Sequence, residues 1–170
     1  MNALLARVPA DAAGEVPEVA ASYLHPGKVL AFAEPALITT VLGSCVSVCL
    51  WDAWAGVGGM NHFLLPDVLS GNASPRFAGP AFEQLVARLL AHGARRERLQ
   101  AKTFGGASLG AAASGEPRIG SRNVEAARRL LTERAIPIVA EDVGGTCGRK
   151  LVFETAGGAA WVRRLRGAGA

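Results

Sequence analysis

The sequence predicts an α+β protein, a layered sandwich of mixed, mostly antiparallel sheets with two main helices, and three observations carry that reading. The first half holds four apolar runs, residues 28–33, 36–42, 45–51 and 57–64, separated in places by Gly and Pro, the pattern of consecutive strands. Next, Phe82, Leu85, Val86, Leu89 and Leu90 recur at helical i, i+3, i+4 spacing. Strand and helix signals then alternate to the end. Two helices against many strands favour layers around a shared core.

Taken in order, residues 45–51 and 57–64 read as a hairpin over the turn-like Ala53-Trp54-Ala55-Gly56. The first helix has Pro80 near its start and Gly93 past its end. Residues 70–74 form a loop, and residues 100–105 a short strand. Asn123 is expected to cap a second helix carrying Val124, Ala127, Leu130 and Leu131, after which residues 136–140 return as a strand. Residues 150–155 and 159–165 make a closing hairpin over Ala156-Gly157-Gly158. Gly105-Gly106 and Gly144-Gly145 read as tight turns of positive φ. Neither has the lysine-serine tail of a phosphate loop, so no nucleotide or other cofactor is expected.

The 170 residues, half of them hydrophobic, suit one domain with one substantial core. The expected domain spans residues 23–166, between a flexible N-terminal tail of residues 1–22 and a short tail of residues 167–170. No run approaches the roughly 20 apolar residues of a membrane helix. The N-terminal apolar stretch is too short for a signal peptide. Three cysteines without an export signal point to a reducing, cytoplasmic setting. The formal charge of +4 comes from the later part of the chain, at Arg95, Arg96, Arg98 and Lys102, at Arg128 and Arg129, and at Arg163, Arg164 and Arg166. Most of these belong to a solvated surface, although a basic face also steers acidic partners. Basic and aromatic residues do not interleave, so nucleic acid is not an expected partner.

The chemistry concentrates in Thr39-Thr40-Val41-Leu42-Gly43-Ser44-Cys45 and, seventeen residues later, His62 in Gly59-Met60-Asn61-His62-Phe63. A thiol attacks carbonyl carbon as thiolate, so a working cysteine needs an imidazole or a helix N-terminus to lower its pKa. His62 is the candidate, because the hairpin brings the start of its first strand beside the end of its second. Taken alone, the pair also fits a small buried cysteine and a satisfied polar histidine. Cys49 points to the same sheet face as Cys45, and Cys147 completes no zinc pattern, so no metal is expected. Ser44 and Asn61 are candidates for positioning a substrate amide.

Six blocks, in this order and spacing, resemble the CheD family of chemoreceptor glutamine deamidases. They are Tyr23-Leu24-His25-Pro26-Gly27, Thr39 to Cys45, Val57 to Pro66, Lys102-Thr103-Phe104-Gly105-Gly106-Ala107, Ile119-Gly120-Ser121-Arg122-Asn123, and Glu141-Asp142-Val143-Gly144-Gly145 with Gly148-Arg149-Lys150. The resemblance runs from Tyr23 to Leu165. Departures lie at Arg76-Phe77-Ala78-Gly79 and at Cys147, away from the candidate site. The resemblance implies an α/β/β arrangement and a triad of Cys45, His62 and Thr39, the threonine six residues before the cysteine. It also implies glutamines on the cytoplasmic helices of methyl-accepting chemotaxis receptors as substrates, and makes the phosphatase CheC a candidate partner. Rival readings are a non-catalytic receptor- or CheC-binding regulator, a cysteine peptidase and a transglutaminase-like acyltransferase.

Overall fold

The computed structural model describes residues 20–66, 72–108 and 118–165, which form nine strands and two α-helices. In chain order these are β1 (Ala20–Tyr23), β2 (Lys28–Phe32), β3 (Ala36–Leu42), β4 (Val46–Asp52), β5 (Val57–His62), α1 (Ala78–Ala91), β6 (Gln100–Gly105), α2 (Ile119–Glu133), β7 (Ile138–Val143), β8 (Arg149–Glu154) and β9 (Ala160–Arg164). One sheet has the order β1-β3-β8-β9 and the other β2-β5-β4-β6-β7. The β1–β3 and β6–β7 pairs are parallel and the rest antiparallel.

Side-chain alternation builds the layers. All seven residues of β4 are buried, because both faces of this strand are covered. Val46, Val48 and Leu50 pack with Phe82, Leu85 and Leu89 of α1 and with Val124 and Leu131 of α2. Cys49 and Trp51 face the other way and pack with Ile38, Leu42, Leu151 and Phe153 of the four-stranded sheet. A strand buried on both faces reads as a continuous apolar run, which is how residues 45–51 stand in the sequence. The result is the expected α/β/β sandwich. Strand β3 is covered on one face, so Ile38, Thr40 and Leu42 are buried while Val41 is exposed.

Two details differ from the sequence reading. Residues 20–22, assigned to the tail, belong to β1, which pairs in register with β3 from Ala20 opposite Ala36 to Tyr23 opposite Thr39. A four-residue Ala-Ala-Ser-Tyr edge strand has too little apolar alternation to stand out. Residues 1–19 and 167–170, the remainder of both expected tails, lie outside the described residues, as do residues 70 and 71 of the expected loop. The second helix starts at Ile119, so Asn123 is not its cap; it is a fully buried residue inside the helix.

The basic cluster at 95–98 is also more than a solvated face. Asp52, fully buried at the end of β4, accepts the Trp54 and Ala55 N–H groups on Oδ1 and the Arg95 N–H on Oδ2. The Arg98 guanidinium closes on Oδ2 at 2.8 Å and lies over the Trp54 ring. One carboxylate thus ties the β4–β5 turn to the segment after α1. Arg128 and Arg134 are likewise paired, with Glu141 and Glu83. No helix among the described residues is long and apolar enough to cross a membrane.

Candidate active site

Cys45 immediately precedes β4, and His62 ends β5. These strands run antiparallel with Cys49 opposite Met60, and the Val46–Phe63 bridge continues the same register. Ser47 therefore stands opposite His62, and Cys45 is its diagonal neighbour on the same sheet face, a relation that in a regular ladder spans about 7–8 Å between Cα atoms. That face looks toward the four-stranded sheet. His62 is fully buried there, whereas Cys45 is half-buried at the margin of the inter-sheet core.

The third group comes from the facing sheet, and it is Thr40. Its Oγ1 lies 2.9 Å from His62 Nδ1 and 2.7 Å from the Leu24 carbonyl oxygen. A hydroxyl has one proton to give. The Leu24 carbonyl can only accept, so Thr40 donates there and its oxygen accepts the proton on His62 Nδ1. The imidazole is thereby assigned the Nδ1–H tautomer, with the Nε2 lone pair free, and Nε2 has no hydrogen-bond partner among the described residues. Thr39, which the family resemblance nominates, is turned to the opposite face of β3, as strand alternation requires. Its backbone contributes nonetheless, for the Thr39 carbonyl accepts the Leu24 N–H at 2.8 Å and so holds Leu24 over Thr40.

Burial sets the resting charge of the pair. It drives the His62 pKa down to about 4 against a smaller opposing effect of the Leu24 carbonyl, so the ring is a neutral base at pH 7. Burial also pushes the Cys45 thiol up from its ordinary value, with its own backbone N–H pulling the other way. The sequence predicts a lowered thiol pKa, whereas burial raises it, so the resting pair is thiol and imidazole. Cys49 is pushed up much further by complete burial.

The loop that carries Cys45 is fastened by hydrogen bonds from the segment after β6 and from α2. The Gly106 N–H donates to the Cys45 carbonyl and the Ala107 N–H to the Gly43 carbonyl, both at 2.8 Å. Gly105 and Gly106 have φ of 111° and 67°, the positive values expected of them, and a Cβ on Gly105 would fall 2.2 Å from the Cys45 oxygen. From α2, Asn123 Nδ2 donates to the Ser44 and Leu64 carbonyls, each at 2.9 Å. Ser44 is thus held through its backbone beside Cys45. Asn61 is fully buried, and as the strand neighbour of His62 it is directed to the opposite face, where its Oδ1 accepts the Val48 N–H at 2.8 Å. Among the described residues no three His, Cys, Asp or Glu side chains converge to hold a metal.

Comparisons with known proteins give the family of the chain. The family described as CheD chemotactic sensory transduction matches residues 64–164, more than half of the chain. A probable chemoreceptor glutamine deamidase CheD 1 of Anaeromyxobacter dehalogenans is 53% identical over 159 residues, covering 92% of this chain and 93% of that protein. This chain belongs to the CheD family. A second CheD relative, a probable chemoreceptor glutamine deamidase of Trichlorobacter lovleyi, is 50% identical over 78% of this chain and 83% of its own length. A third, from Burkholderia orbicola, is 43% identical over 84% of this chain and 60% of its own length. The CheD family match begins at residue 64, whereas the Anaeromyxobacter relative covers 92% of this chain; the candidacy of Cys45 and His62 rests on the sequence resemblance and on the geometry around them.

Sequence reasoning missed Thr40, the Leu24 carbonyl and the Asn123 clamp. A signal for the first was present. Ile38 and Leu42 flank Thr40 at two-residue spacing, which sets Thr40 on the buried face of its strand and Thr39 off it.

Proposed function

We propose that this chain hydrolyses the side-chain carboxamide of glutamines in chemoreceptors, releasing ammonia and leaving glutamate, with Cys45 as nucleophile and His62 as its base. The observation that carries the reading is the Leu24–Thr40–His62 arrangement, which uses Nδ1 and leaves Nε2 free on the sheet face that also bears Cys45. The names of the relatives supply the substrate class.

The steps follow from the neutral resting pair. His62 Nε2 takes the Cys45 proton while sulfur attacks the amide carbon, giving a tetrahedral intermediate. Backbone N–H groups beside Cys45 are the natural partners for its oxyanion. The imidazolium then protonates the departing nitrogen, ammonia leaves, and a thioester remains. Water, deprotonated by the same Nε2, hydrolyses the thioester and restores the thiol. Thr40 serves as the orienting group by accepting Nδ1–H and so keeping Nε2 unprotonated between steps, the part an aspartate or asparagine takes in other triads.

Two finer parts belong to the same proposal: the target glutamines lie on receptor cytoplasmic helices, and a CheC-type phosphatase is a partner. Mass spectrometry of a receptor cytoplasmic fragment incubated with the full chain tests the first. Glutamine-to-glutamate shifts at discrete sites, with the fragment otherwise intact, are expected. Cleaved fragments would identify a peptidase, amine-linked products an acyltransferase, and binding without any mass shift a regulator; each of these outcomes would overturn the proposal. Co-elution of the chain with purified CheC tests the second.

A further inference from the structure

The Asn123 carboxamide reaches both halves of the candidate site from a different layer of the protein. Its Nδ2 donates at 2.9 Å to the carbonyl of Ser44, the residue before Cys45, and at 2.9 Å to the carbonyl of Leu64, two residues after His62. Two carbonyl oxygens on one atom demand the nitrogen there, so the orientation of the amide is fixed by chemistry. Asn123 is fully buried, in a helix whose other buried residues are small or apolar. A polar side chain in such a place is costly unless its hydrogen bonds are made. The β4–β5 ladder needs the support. Its continuous part runs from Cys49–Met60 to Asp52–Val57 and resumes as the isolated Val46–Phe63 bridge, and between them Val48 N–H is satisfied by the side chain of Asn61. The ladder is thus interrupted beside His62, and the Val46–Phe63 pair beyond the gap exchanges both backbone hydrogen bonds.

We infer that Asn123 is a positioning residue that sets the separation of the Cys45 sulfur and His62 Nε2 by clamping the Ser44 and Leu64 carbonyls to α2. It touches neither substrate nor reacting atoms. The inference rests on the Cys45–His62 reading of the site. A displacement of about 1 Å between reacting groups costs on the order of 10²-fold in rate.

The test is a double-mutant cycle on the full chain, with a receptor cytoplasmic fragment as substrate and iodoacetamide as a small probe of Cys45. Asn123→Ala should lower kcat about 10²-fold with KM unchanged and slow Cys45 alkylation to the rate seen in His62→Ala. Added to His62→Ala it should cost almost nothing further, since a clamp that works through the base has no effect once the base is gone. Asn123→Leu keeps the approximate volume without adding a charge or a donor, and should show the same kcat loss where the alanine variant folds poorly. Leu131→Ala, which opens a cavity in the same helix, should lose stability and retain kcat. Wild-type kcat in both Asn123 variants, or a full multiplicative loss on top of His62→Ala, would overturn the clamp while leaving the Cys45–His62 reading in place. Undiminished deamidation by Cys45→Ala would overturn both.

Discussion

Thr40 Oγ1 stands 2.9 Å from His62 Nδ1 while donating its single proton to the Leu24 carbonyl, and this one hydroxyl decides which imidazole nitrogen is free to act as a base. Thr39, its neighbour in the strand, has its side chain on the other face of β3.

The two threonines should therefore separate cleanly on substitution. Thr40→Val keeps the shape and removes the acceptor for Nδ1–H, a loss worth about 1–3 kcal/mol, so kcat should fall about 10- to 100-fold. Thr39→Val should leave kcat near wild type, because Thr39 holds Leu24 through its backbone carbonyl. Steady-state ammonia release measures both, and the opposite ranking would return the orienting role to Thr39.

Cys45 should behave as a half-buried thiol that is deprotonated on demand. Because burial raises its pKa, the rate of alkylation should keep climbing from neutral pH to beyond pH 9, without the plateau near pH 6 of a preformed thiolate–imidazolium pair. Cys45→Ala should abolish ammonia release, and His62→Ala should lower it about 10²- to 10⁴-fold. A pH-independent alkylation rate across this interval would contradict the neutral resting pair.

Acid should unfold this protein partly through His62. The unfolded chain takes up a proton near pH 6.5, whereas the folded ring does so only at about 4, so the unfolded state binds more protons between those values. Stability is then fully present above pH 6.5 and declines as pH falls through about 4, by roughly 3 kcal/mol in total from this group. Urea unfolding of wild type and His62→Gln across that window measures it; the glutamine variant should show a correspondingly flatter dependence.

Asp52 should matter for stability and not for turnover. Burial raises its carboxyl pKa, but hydrogen bonds from Arg98 and from the Arg95 and Ala55 N–H groups outweigh that and hold it below the ordinary range. Asp52→Ala strands those backbone donors and the Arg98 guanidinium, an expected cost of about 3 kcal/mol. Thermal unfolding should reveal the loss, while kcat of the folded protein at low temperature stays unchanged.

Periodic features were legible in the sequence and singular contacts were not. The β4–β5 hairpin, α1 and the closing β8–β9 hairpin announced themselves because each repeats a burial pattern over five or more residues. Strand β1 did not, since Ala20–Tyr23 owes its conformation to pairing with β3 across an intervening strand. Asn123 looked like a cap because asparagine favours helix starts, and its partners at 44 and 64 are far away in sequence. Cys45 and His62 were nominated by hairpin register, a local property, together with the family resemblance. The choice between Thr39 and Thr40 turns on one step of alternation, which the flanking Ile38 and Leu42 encode.

His62 belongs to the five-stranded sheet, and Thr40 and Leu24 lie in or beside the four-stranded one. The His62 imidazole is thus oriented by an interface between layers, not by a single strand or loop. Any motion that parts the two sheets, even by the width of one hydrogen bond, releases the imidazole to adopt its other tautomer while each sheet keeps its own ladder. Loss of activity on heating is accordingly a gauge of sandwich closure, and it should run ahead of the loss of secondary structure.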